Sequence, residues 1–465
     1  MLSIKNILAQ NHHNSNQLTD GKFTCSYSEI QGIFEQIDII LAENQITLTD
    51  YIALEVQNTL PRAICLLYLL DKGYSFYLLS PTTPPDLLPN FCRFKITTNT
   101  DSQNNIGSLS NLSKSLTINI NTNQNWNGKK VNNYPPQLYL STSGSTGKPK
   151  LVTHSHHKLL QNALNCQQSL GLIRDDRISI PVPIFHLFGL GAGFLPGIIA
   201  GTSLDLQVNA NLLKYLDREK RFNPNVSFMT PTFAQTLAMG RKSPREYRFT
   251  VIAGDRISAD TFTSYEQKFG TIVPLYGSTE MGVIAIAPEQ ESKEIRQNTV
   301  GKPLSGVEIK LEQTGLSQLW CRHPYGFEGY LDLDGHSFEL TPIDWFATKD
   351  LAEINQEGYL KIIGRCDYSV NRDGLLVLLT DIEKALETIP GVEKAITVAI
   401  GENIRGKEIK AYCILEESFK LTPREIRNAC FDLLPHRAIP DQVTIVSSLP
   451  LLPNGKIDRQ KLMIN

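Results

Sequence analysis

Ser141-Thr142-Ser143-Gly144-Ser145-Thr146-Gly147 is a run of seven consecutive Ser, Thr or Gly residues, and Lys148 follows it. Glycine lets a backbone turn tightly and present its N–H groups, and hydroxyls add donors that rotate to suit a ligand. A lysine beside such a loop supplies positive charge, so the stretch has the parts of a cradle for polyphosphate. Leu138-Tyr139-Leu140, just before it, reads as the end of a buried strand. The spacing is not that of the common nucleotide-triphosphate loop. That loop needs four residues between its first glycine and a Gly-Lys pair, then a Ser or Thr. Here two residues separate Gly144 from Gly147, and Pro149 follows the lysine. The competing reading is a mobile Ser/Gly linker, which seldom sits against a strand and ends in Gly-Lys-Pro-Lys.

Residues 142–150 also resemble the signature loop of the adenylate-forming superfamily. That superfamily contains acyl- and aryl-CoA synthetases, the adenylation domains of non-ribosomal peptide synthesis, and firefly luciferase. Its pattern, Thr-Ser-Gly-Ser/Thr-Thr-Gly-x-Pro-Lys, is met from Thr142 to Lys150. The resemblance implies that Thr142, Ser143, Gly144, Ser145, Thr146, Gly147 and Lys148 bind ATP phosphates.

Further stretches follow in the family's order. Phe185-His186-Leu187-Phe188-Gly189 resembles the aromatic motif near the acyl pocket. This implies a gating or substrate-wall role for His186, where the plain reading is a buried core histidine. Gly254 and Asp255 follow a strand whose end, in the family, helps form the adenine pocket. Tyr276-Gly277-Ser278-Thr279-Glu280 resembles the Tyr-Gly-x-Thr-Glu motif. The implied roles are stacking of adenine on Tyr276, close ligand approach at Gly277, and donation from Thr279 to the α-phosphate. Glu280, with Thr142, would hold Mg²⁺ through hard oxygens. Without the resemblance, the same residues read as a strand followed by an ordinary helix start.

Thr348-Lys349-Asp350 resembles the Thr-x-Asp motif, and Arg365 follows at the family spacing. Asp350 would accept from the ribose hydroxyls, and Arg365 would contact ribose or phosphate. Asp367 matches the family's hinge, and Gly374 a glycine of its pantetheine tunnel. Pro453-Asn454-Gly455-Lys456 resembles the family's ending, where Lys456 would reach the attacking carboxylate and the α-phosphate. Two departures stand out. Ser317-Gln318-Leu319 replaces a usual Gly-Glu-Leu strand, with an irregular loop over 325–337, and Asn371 occupies a position that is lysine in many relatives.

The elements that must position these residues follow an α/β rhythm. Ser26-Tyr27-Ser28-Glu29 is a capping box, and Tyr27, Ile30, Ile33, Phe34, Ile37 and Leu41 then share one helical face. A strand over 51–56, a helix with Pro61 in its first turn and a strand over 73–79 make a parallel unit. Helical periodicity spans 154–172. His154, His156 and His157 lie within it, without the matching partners that a metal site needs. The expected architecture is a large N-terminal α/β domain, 1–365, with parallel sheets and helices. A small mobile α+β C-terminal domain, 366–465, would turn near Asp367.

The chain has 465 residues, 41% apolar and 20% charged, with a formal net charge of −2. That balance gives no reason to expect nucleic acid or an anionic membrane as partner. Its eight cysteines form no Cys-x-x-Cys pair, which speaks against a zinc site or a disulfide framework. Residues 1–20 lack the apolar core of a signal peptide, and the apolar stretch 187–201 contains five glycines and is too short to span a membrane. A cytoplasmic enzyme with reduced thiols is expected.

The function implied by the resemblance is ATP- and Mg²⁺-dependent activation of a carboxylic acid to acyl-AMP, followed by transfer to a phosphopantetheine thiol. From Pro181 to Gly201 there is no Asp or Glu to pair with an α-ammonium, so a non-amino acid, aryl or fatty, is expected. The Gly-Lys-Ile-Asp-Arg ending looks more like relatives that load a carrier protein, which would act in trans, than like most users of free CoA. A CoA ligase, a non-catalytic nucleotide-binding regulator and an oxidase of the luciferase kind are the alternatives.

Overall fold

The computed structural model describes every residue except 1, 14, 100–109, 112–115, 129–130, 132–135, 143–149, 314, 341–344, 373–374, 404–405, 452–456 and 465. The chain divides into two compact units. The first holds Met1–Lys310, Trp320–Phe346 and Ile354–Lys361. The second holds Leu311–Leu319, Ala347–Glu353 and Ile362–Asn465.

Two mixed sheets form the frame of the first unit. The larger has ten strands. Its central strands, Ser203–Leu206, Arg177–Ile180, Val226–Met229, Tyr247–Ile252 and Gly270–Ser278, run parallel in that spatial order. The smaller has eight strands. Gln137–Thr142, Ser75–Leu79, Tyr51–Glu55 and Phe94–Asn99 are its parallel centre, and antiparallel strands flank them. Parallel strands need crossovers, and the helices supply them. Helix Leu60–Lys72 links Tyr51–Glu55 to Ser75–Leu79, with Pro61 in its first turn and Gly73 in the left-handed conformation at its end. The capping box before helix Tyr27–Glu43 is formed as expected, and all six residues of its apolar face are buried.

The second unit contains the sheet formed by Ser369–Arg372, Leu375–Leu378, Gly406–Leu415, Val392–Asn403 and Gln442–Ile445. Helices Leu379–Glu387 and Pro423–Leu433 contribute Ile382, Leu386, Ile426 and Cys430 to a core with Ile409 and Ala411 from the sheet. The fold is thus a large α/β body with parallel sheet centres and a smaller α+β body.

One local expectation is corrected, and one competing reading is excluded. His154 belongs to strand Lys150–Ser155, and the helix starts only at His156. The helical period across 154–172 began too early because strand Gln137–Thr142 pairs with 150–155, and that pairing overrides local propensity. The stretch after Ser278 is a turn into the antiparallel strand Gly282–Ile286, with no helix start.

Candidate active site

The C-terminal ends of the parallel strands carry the chemistry-bearing residues of the first unit, the edge where open α/β sheets take ligands. Ile252 pairs with Pro274, so Gly254 and Tyr276 each lie two residues beyond that pair on neighbouring strands. Gly254 and Asp255 are exposed, Gly254 has φ +94°, and Asp255 Oδ1 accepts from the Arg256 N–H at 2.7 Å. Tyr276 is half-buried.

Thr279 and Glu280 occupy the turn between strands Gly270–Ser278 and Gly282–Ile286. Four contacts fix this turn. His154 Nε2 lies 2.7 Å from the Thr279 carbonyl oxygen. Only a protonated Nε2 can bond that acceptor, which sets the tautomer. The Phe327 N–H donates to the Glu280 carbonyl at 2.8 Å, and the Met281 N–H donates to Ser278 Oγ at 3.0 Å. The Tyr330 hydroxyl donates to Glu280 Oε1 at 2.9 Å. Behind the turn, Asn162 Oδ1 accepts from the Val283 N–H at 3.1 Å. The carboxylate of Glu280 is half-buried, with Oε1 accepting from the Tyr330 hydroxyl. A carboxylate is a hard-oxygen ligand of the kind divalent cations take.

The Phe185–His186 segment is shaped by a single amide. Asn58, 4% exposed, donates to the carbonyls of Ile180 and Val182 at 2.8 Å and accepts from the Ile184 N–H at 2.9 Å. These bonds fold 180–184 into a compact turn. Gly189 then packs on it so tightly that a Cβ would sit 2.2 Å from the Pro183 carbonyl oxygen. A π-helical segment, Phe188–Phe194, continues into helix Leu195–Ala200. His186 is exposed, with its ring 4.5 Å from that of Phe185, so the core-histidine reading is excluded. Phe185 borders a cavity of about 270 Å³ with Asn58, Pro183, Gln207, Thr230 and Phe233, and among the described residues no Asp or Glu lines it. Phe228 is fully buried in strand Val226–Met229, its ring 6.2 Å from that of Phe188.

Asp350, Arg365 and Asp367 form one cluster in the second unit. Arg365 reaches Asp350 Oδ1 at 3.3 Å and Asp367 Oδ2 at 3.1 Å. Burial works against its charge, but the two carboxylates outweigh it and raise its pKa. Asp350 is 8% exposed. Its neighbour Lys349 has φ +62°, a conformation that non-glycine residues seldom adopt. Thr348 spans this kink, donating from Oγ1 to the Leu319 carbonyl at 2.9 Å and accepting from the Asp350 N–H at 3.1 Å.

Ser143, Gly144, Ser145, Thr146, Gly147, Lys148, Gly374 and Lys456 lie outside the described residues, as do the side chains of Thr142 and Asn371. Sequence reasoning passed over Tyr330, Asn58 and Asn162, and gave His154 no part in positioning the motif. All four are ordinary polar letters whose partners lie far along the chain.

The histidine cluster does not converge on a metal. His154 is bonded to Thr279, the ring of His156 lies 5.5 Å from that of Phe76, and His157 is exposed. Burial pushes the pKa of both His154 and His156 down from 6.5 to about 4. Both rings are therefore neutral in the fold, while the unfolded chain takes up their protons below pH 6.5. Their contribution to stability is complete above pH 6.5 and is lost as pH falls toward 4. The slope approaches about 1.4 kcal/mol per pH unit for each ring between the two values. Unfolding free energies measured by urea titration from pH 7 to pH 4 should show this fall. A slope unchanged by His156→Gln would contradict it.

Comparisons with known proteins place the chain in a family. The sequence model of the AMP-binding enzyme family matches residues 103–331, and that of the AMP-binding enzyme C-terminal domain matches 381–456. The mitochondrial medium-chain acyl-CoA ligase of Rattus norvegicus is 27% identical over 353 residues, 71% of this chain and 57% of that protein. The oxalate–CoA ligase of Arabidopsis thaliana is 26% identical over 340 residues, 70% of this chain and 66% of that protein. A linear gramicidin synthase of Brevibacillus parabrevis is 29% identical over 350 residues, 69% of this chain and 7% of that protein. The chain therefore spans less than two thirds of the length of these relatives. Among solved structures, the o-succinylbenzoate CoA synthetase of Bacillus subtilis with its acyl-adenylate intermediate superposes with a TM-score of 0.81. The identity is 21%, covering 98% of this chain and 97% of that one. ATP-bound MatB from Rhodopseudomonas palustris gives 0.77 at 18% identity, covering 100% of this chain and 99% of that one. With both family models matched in order, and this fold beneath them, the chain belongs to the adenylate-forming superfamily of AMP-binding enzymes.

Proposed function

We propose that this protein is an AMP-forming acid–thiol ligase that activates a non-amino carboxylic acid with ATP. The observation that carries the proposal is the braced turn bearing Thr279 and Glu280 at the ligand edge of the sheet. A substrate carboxylate oxygen attacks the α-phosphorus of ATP, the bond to the β-phosphate breaks, and acyl-AMP and pyrophosphate form. A thiol sulfur then attacks the acyl carbon and AMP leaves. Thr279 donates to the α-phosphate, Asp350 accepts from the ribose and Lys456 offsets the charge of two converging anions. Glu280, with Thr142, would hold Mg²⁺, which supplies neutralisation of the polyphosphate. Asp367 is the hinge about which the C-terminal part turns between the two steps.

Two features favour a substrate without an α-ammonium. Among the described residues no Asp or Glu lines the cavity beside Phe185, and Asp255 is exposed and already accepts from the Arg256 N–H. For the acceptor, the Gly-Lys-Ile-Asp-Arg ending and the likeness to a gramicidin synthase favour a phosphopantetheinyl carrier protein. The names of the other relatives favour free CoA. Pyrophosphate release should be measured against aryl, fatty and α-amino acids, with CoA or a pantetheinylated carrier present. Release with an aryl or fatty acid is expected, and the acceptor needed for turnover decides carrier against CoA. Robust activation of an α-amino acid would overturn the substrate class. Silence with ATP bound would favour a nucleotide-binding regulator.

A further inference from the structure

Tyr330 lies outside every stretch that carries the resemblance, in the loop region where the sequence looks irregular, yet it touches the motif acid directly. It sits in strand Gly329–Leu331, which pairs antiparallel with strand Lys150–Ser155 so that Tyr330 faces Val152. Strand Lys150–Ser155 carries the chain away from the Ser/Gly-rich stretch. Three contacts place the Tyr330 side chain. Its hydroxyl donates to Glu280 Oε1 at 2.9 Å, its ring meets that of Phe327 edge-on at 4.9 Å, and Lys150 Nζ lies 5.1 Å from its ring centre. Phe327 in turn donates its N–H to the Glu280 carbonyl. The acid is thereby gripped at its main chain and its carboxylate by residues three positions apart.

We infer that Tyr330 is the positioning residue for Glu280: its hydroxyl holds one carboxylate oxygen, so that the other is presented to the metal–nucleotide. A glutamate on a two-stranded turn has three rotatable side-chain bonds, and a carboxylate free to swing must be ordered each time it takes a ligand. The tyrosine bond removes that freedom beforehand. Outer partners of this kind orient the groups that ligate a metal and tune their affinity. Lys150 over the same ring ties the tyrosine to strand Lys150–Ser155 as well as to the acid. This inference rests on the proposed use of Mg²⁺ and ATP at Glu280.

The test uses Mn²⁺ as a spectroscopic probe, with a non-hydrolysable ATP analogue and the full chain. Electron paramagnetic resonance reads the free Mn²⁺, and calorimetry reads analogue binding without metal. Tyr330→Phe keeps both ring contacts, so the folded state is retained and its near-ultraviolet circular dichroism should match the parent. Mn²⁺ affinity in the ternary complex should fall about tenfold, the lower end of the range for such outer partners, with metal-free analogue binding unchanged. Glu280→Gln should weaken Mn²⁺ on its own. Adding Tyr330→Phe to it should change affinity by less than about twofold, because the two residues act as one unit. Parental Mn²⁺ affinity in Tyr330→Phe, or a full loss added on top of Glu280→Gln, would overturn the inference and leave the proposed function standing. A parent protein that binds no Mn²⁺–analogue complex would overturn the proposed function, and this inference with it.

Discussion

Lys456→Ala is expected to slow adenylate formation by about a hundredfold to a thousandfold while sparing thioester formation from supplied acyl-AMP. The substrate carboxylate and the α-phosphate are both anionic, and bringing them to bonding distance concentrates negative charge. An ammonium placed between them removes much of that cost, and alanine offers nothing in its place. Once the adenylate exists, the second step joins a thiol to a mixed anhydride with a good leaving group, and the same lysine is no longer required. Isotope exchange between pyrophosphate and ATP reads the first step. Conversion of synthetic acyl-AMP to thioester reads the second. Loss of both rates in equal measure would remove the division of labour proposed for the C-terminal part of the chain.

Gly277→Ala should be nearly as damaging, for a reason internal to the protein. A Cβ at Gly277 would lie 2.2 Å from the Gly282 carbonyl oxygen and 3.1 Å from Val283 Cα. Both are backbone atoms of the partner strand, so no side chain can swing aside. The pairing register already shifts between Tyr276 and Gly277. Relief requires the strands to part, which moves the turn that holds Thr279 and Glu280. A displacement of about 1 Å at a reacting centre costs on the order of a hundredfold in rate. A loss of about 2 kcal/mol in stability should accompany it. Gly254→Ala is the matched control. Its φ of +94° strains any side chain, but nothing lies within 4 Å of the added Cβ, so about 1 kcal/mol is expected with the turn undisturbed. Urea unfolding would compare the stability of the two variants, and pyrophosphate exchange would read the loss of rate in Gly277→Ala. Full exchange activity in Gly277→Ala would show that the turn tolerates the parted strands.

What was legible in the sequence was local or ordered along it. The capping box at Ser26 and Glu29 closes within three residues, and Pro61 marks its helix start by its own ring geometry, so each could be read from neighbouring letters. The order of the motif stretches likewise needs no coordinates. The residues that brace the site were invisible for the opposite reason. Tyr330 bonds an acid 50 positions away, His154 a carbonyl 125 away, and Asn58 three backbone groups 122 to 126 away. Each is a common polar side chain with several possible partners, and nothing in its neighbourhood selects one. Strand Lys150–Ser155 is buried along nearly its whole length, so no alternation marks it, and it runs directly into the helix that follows. The sequence by itself determined the α/β character and most of the element types, and it named candidates for handling a nucleotide. Only the tertiary structure decided which of them are held, and by what. Sheet register is set by pairing between distant strands, and it carries a hydroxyl or an imidazole to within 3 Å of its acceptor.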